Sequence, residues 1–128
     1  YKKALNEAIE ITRKNLDRYV DKFPHVSENY KYKAEDNCLW TSAFYPGMCC
    51  LAYEMSSDPE FLKHQEAVLD SFEQRVRNRS HISHDMGFLY TLSCVSLYKL
   101  TGNQRAYNLA HQAADLLEER YHEKGKYI

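Results

Sequence analysis

The sequence predicts an all-α fold of repeated helical hairpins, and three observations lead there. Apolar residues recur at three- and four-residue spacing along most of the chain. Short turn-forming clusters punctuate it. Two stretches of it superpose under a constant shift of 45 residues.

Leu5, Ile9, Thr12, Leu16, Tyr19 and Phe23 form one helical stripe, so residues 2–22 are expected to make an amphipathic helix that Pro24 ends. Residues 25–37 are polar, mix tyrosines with lysines without a period, and read as a loop. A second helix over residues 42–56 is apolar on most sides, with Pro46 tolerated in its first turn. Such a helix must be buried between others. Ser57-Asp58-Pro59-Glu60 is a helix start: Asp58 can cap, Pro59 suits the first helical position, and Glu60 favours the positive end of the dipole. The third helix runs to Arg77, and the polar stretch Asn78 to Ser83 breaks it. A fourth, mostly apolar helix spans residues 86–100, Thr101-Gly102-Asn103 is a tight turn, and a fifth helix covers residues 104–122.

The shift of 45 carries Tyr45 onto Tyr90, Cys49 onto Cys94, Tyr53 onto Tyr98, Arg75 onto Arg120 and Ser57-Asp58 onto Gly102-Asn103. A unit of one apolar inner helix and one amphipathic outer helix therefore occurs twice. The period exceeds that of a tetratricopeptide array and fits a HEAT-like solenoid or a helical toroid. Two hairpins cannot cover both of their own faces, whereas a closed ring of more hairpins would. The chain also begins at Tyr1 rather than methionine, so it is read as a piece of something larger.

The formal net charge of −1 excludes nucleic acid and anionic membrane as main partners, because phosphate neutralisation needs a basic surface. No apolar run approaches a membrane span, and the opening residues are not a signal peptide. Cys49 and Cys50 are adjacent in an apolar helix and point about 100° apart. They read as buried free thiols, which favours a reducing compartment. The six histidines and four cysteines form neither CxxC nor HExxH, so no metal site is expected. His81-x-x-His84-Asp85 is too weak a spacing to change that.

The repeat also places candidate chemistry. Trp40 maps onto Asp85, and both precede an inner helix. In a ring, such starts share one mouth, so Trp40, Phe44, His84 and Asp85 are expected to face a common cavity. An indole face stacks on sugar C–H groups, and a carboxylate moves protons or accepts hydrogen bonds. Each residue has a structural alternative. Asp85 can cap the fourth helix, Trp40 can be core, His84 can be a hydrogen-bonded structural histidine, and Gly87 can relieve crowding between helices.

Two segments carry a resemblance. Asp36-Asn37-Cys38-Leu39-Trp40-Thr41-Ser42-Ala43-Phe44-Tyr45-Pro46-Gly47, followed by Leu51-Ala52-Tyr53-Glu54, resembles the start of glycoside hydrolase family 88. Ser83-His84-Asp85-Met86-Gly87-Phe88-Leu89-Tyr90 resembles that family's HDLGFLY segment. Ala43 stands where the family usually has Gly, Cys49-Cys50 where Leu-Trp is frequent, and Ile82-Ser83 where many members have Asp-His.

The resemblance implies an (α/α)6 barrel, with residues 1–128 as the N-terminal portion of a single catalytic domain. It implies an unsaturated glucuronyl hydrolase activity on lyase-generated oligosaccharides that carry a 4,5-unsaturated uronic acid at the non-reducing end. A protein acid protonates C4, water adds at C5, and the resulting hemiketal opens and expels the leaving sugar. It places Asp85 on one of two essential aspartates, Trp40 and Phe44 on pocket-lining aromatic positions, and His84 beside the aspartate. The second aspartate and the groups that hold the uronate carboxylate are expected beyond residue 128. No metal or organic cofactor is implied, and the location implied is cytoplasmic. The isolated chain is expected to be inactive and to self-associate through its open flanks. The competing expectation is a non-catalytic helical-repeat module that binds carbohydrate or another protein.

Overall fold

A computed structural model describes residues 1–128. Its elements are α1 (Lys2–Lys14), a hairpin of β1 (Phe23–Glu28) and β2 (Lys31–Glu35), α2 (Phe44–Ser56), α3 (Pro59–Arg77), α4 (Met86–Tyr90), a π-helical segment (Thr91–Val95), α5 (Ser96–Thr101) and α6 (Gln104–Glu118). The α4, π and α5 segments form one continuous rod over residues 86–101. No helix is long and apolar enough to cross a membrane.

Three boundaries differ from expectation. The first helix stops at Lys14, not residue 22. Asn15 turns its amide back to the Ile11 carbonyl at 2.9 Å, competing with the backbone ladder, and residues 15–20 continue as irregular turns. That departure swings Tyr19 inward, edge-on to Tyr45 at 5.1 Å, and leaves its carbonyl free for His64. The segment read as a loop is an antiparallel hairpin with Glu28 paired to Lys31 and Phe23 to Glu35. Asn29 and Tyr30 both take positive φ (48° and 61°), the backbone of a tight I′-like turn. Most of its strand residues are exposed, so no apolar alternation marks them in the sequence. The last helix ends at Glu118 rather than 122, because no buried apolar residue beyond Leu116 anchors another turn.

The repeat is structural. Tyr45 and Tyr90 are both buried, and each hydroxyl donates to a carbonyl at a distance of 2.8 Å (Thr12 and Phe72). Ser57 and Gly102 end their helices in the left-handed region, their N–H groups donating to the Tyr53 and Tyr98 carbonyls at 2.7 Å. Asp58 and Asn103 then cap the outer helices, accepting from Glu60 N and Ala106 N. Cys49 and Cys94, equivalent under the shift, are fully buried, and all four cysteines are free. Burial pushes the Cys49 and Cys50 thiols up to about 12 and Cys94 up to about 11, so these are inert packing groups.

The main core gathers Val68, Leu69 and Phe72 of α3 with Met86, Leu89, Cys94 and Leu97 of the rod and Leu109 of α6. Buried Gln65 joins α3 to α2 through the Pro46 carbonyl and Cys50 Sγ. The close approach of the inner helices falls at Gly47, where a Cβ would lie 3.2 Å from Leu92 Cβ. Gly87, the glycine expected to relieve crowding, has open space where its Cβ would be.

His64 is buried in the smaller core, and its Nε2 donates to the Tyr19 carbonyl at 2.8 Å. A carbonyl only accepts, so Nε2 carries the proton, and Nδ1 is left without a partner. Burial lowers the His64 pKa below its ordinary value. The unfolded chain therefore binds the extra proton first, so this contribution to stability is full above about pH 6.5. It is lost as pH falls below that value. Urea unfolding between pH 5 and 7.5 is expected to show the loss, and His64→Gln is expected to flatten it. An identical pH slope in the variant would count against a neutral buried imidazole.

Candidate active site

Asp85 begins the rod but does not cap it: its side chain accepts from no helix N–H. Ser83, two residues ahead, turns the chain into the helix. Its Oγ accepts from Asp85 N at 3.1 Å, and its carbonyl accepts from Met86 N. The same hydroxyl donates to Asp85 Oδ2 at 3.3 Å. His84 Nε2 stands 3.4 Å from Asp85 Oδ1, with its side chain largely exposed while that of Asp85 is mostly shielded. The carboxylate is thus oriented by one hydroxyl and one imidazole and is not consumed by its own helix. Such a group can hold or move a proton. The structural alternatives for Asp85 and His84 do not hold here, since one is no cap and the other is not buried.

Trp40 and Phe44 lie at the same end of the neighbouring inner helix. Their rings meet edge-on, with centroids 5.7 Å apart, and Trp40 is 49% exposed, so it is not core. Phe44 connects the two halves of the expected site. It lines a groove with His84, Gly87, Phe88, Thr91 and Leu92, and a second cleft with Trp40, His25, Tyr30 and Tyr32. The hairpin thereby contributes a wall to the Trp40 side. His25 Nδ1 lies 2.8 Å from Thr41 Oγ1, which ties that wall to the residue after Trp40.

The sequence reading missed Arg75. Its guanidinium is buried, and Nη1 donates to the Asn37 carbonyl (3.3 Å), Asn37 Oδ1 (3.1 Å) and the Leu39 carbonyl (3.2 Å). Nη2 donates to the His81 carbonyl at 2.7 Å. One cation therefore joins the loop before Trp40 to the loop before Asp85. Burial lowers its pKa, while Tyr90, Cys38 and Asp85 oppose that shift by favouring its charged form. An arginine at an outer-helix position reads as a solvated charge, and only its equivalence to Arg120 signalled otherwise.

No family model matches the chain. Individual proteins do. It is 37% identical over 127 residues to the unsaturated chondroitin disaccharide hydrolase of Streptococcus agalactiae serotype III (strain NEM316), covering 98% of this chain and 32% of that protein. The crystal structure of the unsaturated glucuronyl hydrolase of Bacillus sp. GL1, responsible for the degradation of glycosaminoglycan, superposes with a TM-score of 0.89 at 35% identity over 94% of this chain and 32% of that one. Over nearly its whole length the chain is similar to unsaturated glucuronyl hydrolases. A variant of the S. agalactiae glucuronyl hydrolase, solved in complex with dGlcA-GalNAc6S, superposes with a TM-score of 0.85 at 37% identity, over 94% of this chain and 34% of that one. The chain spans about a third of the length of the glucuronyl hydrolases it matches. Its hairpins are those of an (α/α)6 toroid, with a small two-stranded sheet added.

The turn made by Ser83 can be checked by stability alone. Ser83→Ala is expected to cost roughly 0.5–1.5 kcal/mol in a thermal or urea melt, as loss of a hydrogen bond does. Asp85→Asn should leave the melt within about 0.5 kcal/mol of the wild type. The reverse ranking would give Asp85 a capping role.

Proposed function

We propose that this chain forms part of the active site of a glucuronyl hydrolase that removes a 4,5-unsaturated uronic acid from lyase-generated oligosaccharides. The observation that carries this reading is the Asp85 carboxylate, free of any capping bond and oriented by Ser83, beside His84 and at the same end of the fold as Trp40 and Phe44. In this reading residues 1–128 are the N-terminal portion of one barrel domain. The substrate is the chemical class named for the relatives, an unsaturated glycosaminoglycan disaccharide. Three buried free thiols support a cytoplasmic location.

The indole of Trp40 and the Phe44 ring offer apolar faces on which sugar C–H groups stack. Asp85 works at the vinyl ether. A proton is delivered to C4 and the oxygen of a water molecule bonds to C5. The other water proton returns to a carboxylate, leaving a hemiketal. Collapse of the hemiketal breaks the C5–O5 ring bond, leaving a C5 ketone and a C1 hemiacetal, and breakdown of that hemiacetal to the C1 aldehyde releases the leaving sugar as its alcohol. The transfer needs a second acid–base group besides Asp85, and that group lies outside residues 1–128. His84 stands against one of the Asp85 oxygens and helps to hold it in place.

Asp85→Asn in the full-length enzyme is expected to lower kcat by about 10²- to 10⁴-fold, the range for a lost acid–base group. Trp40→Ala is expected chiefly to raise KM. Both are read by the fall in ultraviolet absorbance as the conjugated double bond is consumed. Unchanged turnover in Asp85→Asn sinks the assignment, and binding without turnover in the wild type supports the non-catalytic module instead.

The same reading leaves an apolar stripe on α2 uncovered, where Phe44, Met48, Leu51 and Met55 are exposed, with Phe88 of the rod beside Phe44. Patches of this kind are rarely left bare. The 128-residue chain alone is expected to be inactive and to self-associate in sedimentation velocity, and Leu51→Glu to reduce the association. A monodisperse monomer would contradict it.

A further inference from the structure

We propose that Arg75 is the positioning residue of the active site, setting the sugar-stacking loop and the acid–base loop against each other. The proposal rests on the hydrolase reading above. A buried guanidinium is stabilised by acceptors for its donors, and here both Nη atoms are directed to loop acceptors while Nε is buried without a partner. None of them goes to a carboxylate. The cation binds backbone carbonyls on two segments that are more than forty residues apart in sequence. On one side the bonded carbonyl is that of Leu39, the residue before Trp40. Asn37, also bonded, is itself held to α3 through Nδ2 and Ser71 Oγ at 3.2 Å.

On the other side the bonded carbonyl is that of His81. This residue has φ 54°, and Arg79 has φ 49°, both in the left-handed region that non-glycine residues avoid. Such backbone persists only when its surroundings hold it. Ser80 N donating to the Arg75 carbonyl at 3.0 Å is a second tether on the same turn. From His81 the chain reaches Ser83, whose hydroxyl orients the Asp85 carboxylate. The planar fork of an arginine spans the two loops, and a lysine ammonium cannot. Arg75 touches neither aromatic platform nor carboxylate, so it acts through the loops.

Such a residue has a kinetic signature. Trp40 governs binding and Asp85 governs chemistry, so loosening their shared anchor changes both constants in one variant. In the full-length enzyme, Arg75→Lys is expected to keep its helical circular dichroism, lose about 10- to 100-fold in kcat and gain several-fold in KM. Asn37→Ala removes one anchor on the Trp40 side and is expected to raise KM while kcat stays near that of the wild type. A residue that merely stabilises the fold would lower the melting temperature and leave both constants unchanged well below it. That result overturns the proposal. Should Arg75→Lys fail to fold, Asn37→Ala decides, and an unchanged KM overturns it. Should the wild type show no turnover, the hydrolase reading fails by itself. Positioning is then read from the part of the acrylamide quenching that belongs to Trp40, taken as the difference between the full-length protein and its Trp40→Phe variant. Quenching should increase in Arg75→Lys or Asn37→Ala, and unchanged quenching overturns the proposal.

Discussion

The close contact between α2 and the rod of residues 86–101 governs the arrangement of everything else. Two helices can approach so nearly only where one side lacks a side chain, and Gly47 supplies that place against Leu92. Once the helices lie together, the loops that lead into them lie together as well. Trp40 and Phe44 arrive from one loop, His84 and Asp85 from the other, and Phe44 shares a groove with His84. The outer helices α3 and α6 then cover the far side, with Phe72 edge-on to both Phe23 and Tyr90. The hairpin is pinned at its base because Phe23 is buried in the same core.

Polar groups fix what apolar packing leaves free. Hydrophobic burial has no direction, so it cannot by itself decide how a loop presents its side chains. The tyrosine hydroxyls at positions 45 and 90 each find one carbonyl, and Gln65 finds two acceptors on α2. Each bond has a defined geometry and the cost of breaking it in a buried place is large. Arg75 is the most connected of these groups. Its burial is tolerated because two loops surround it with carbonyl oxygens, and those loops carry the candidate chemistry.

The π-helical turn at Thr91–Val95 belongs to the same pattern. It interrupts the rod where Leu92 meets Gly47, and Ser96 Oγ returns to the Thr91 carbonyl at 2.9 Å. A wider turn there changes the direction in which the following residues project. Cys94 and Leu97 are fully buried, while Ser96 and Lys99 line a groove with Met48 and Leu51. That groove lies on the face where α2 shows its exposed apolar stripe.

The amino-acid sequence alone determined the outer helices, the turns between units and the repeat. Asp58-Pro59 and Gly102-Asn103 act through bonds within a few residues, so their effect is legible locally, and α3 begins and ends where the spacing places it. It also equated the positions of Trp40 and Asp85, as a repeat does without coordinates, whereas in the structure Trp40 and His84 line separate clefts that share Phe44. Tertiary structure decided the rest. The first helix stops at Lys14, where Asn15 turns back on the Ile11 carbonyl and Tyr19 is carried to Tyr45 and His64. The hairpin forms from exposed strands that have no apolar period to display. The Asp85 carboxylate stays out of capping and meets the Ser83 hydroxyl instead, a choice that only the loop conformation makes. The role of Arg75 depends on carbonyls brought from two distant loops, and no local spacing encodes such a meeting.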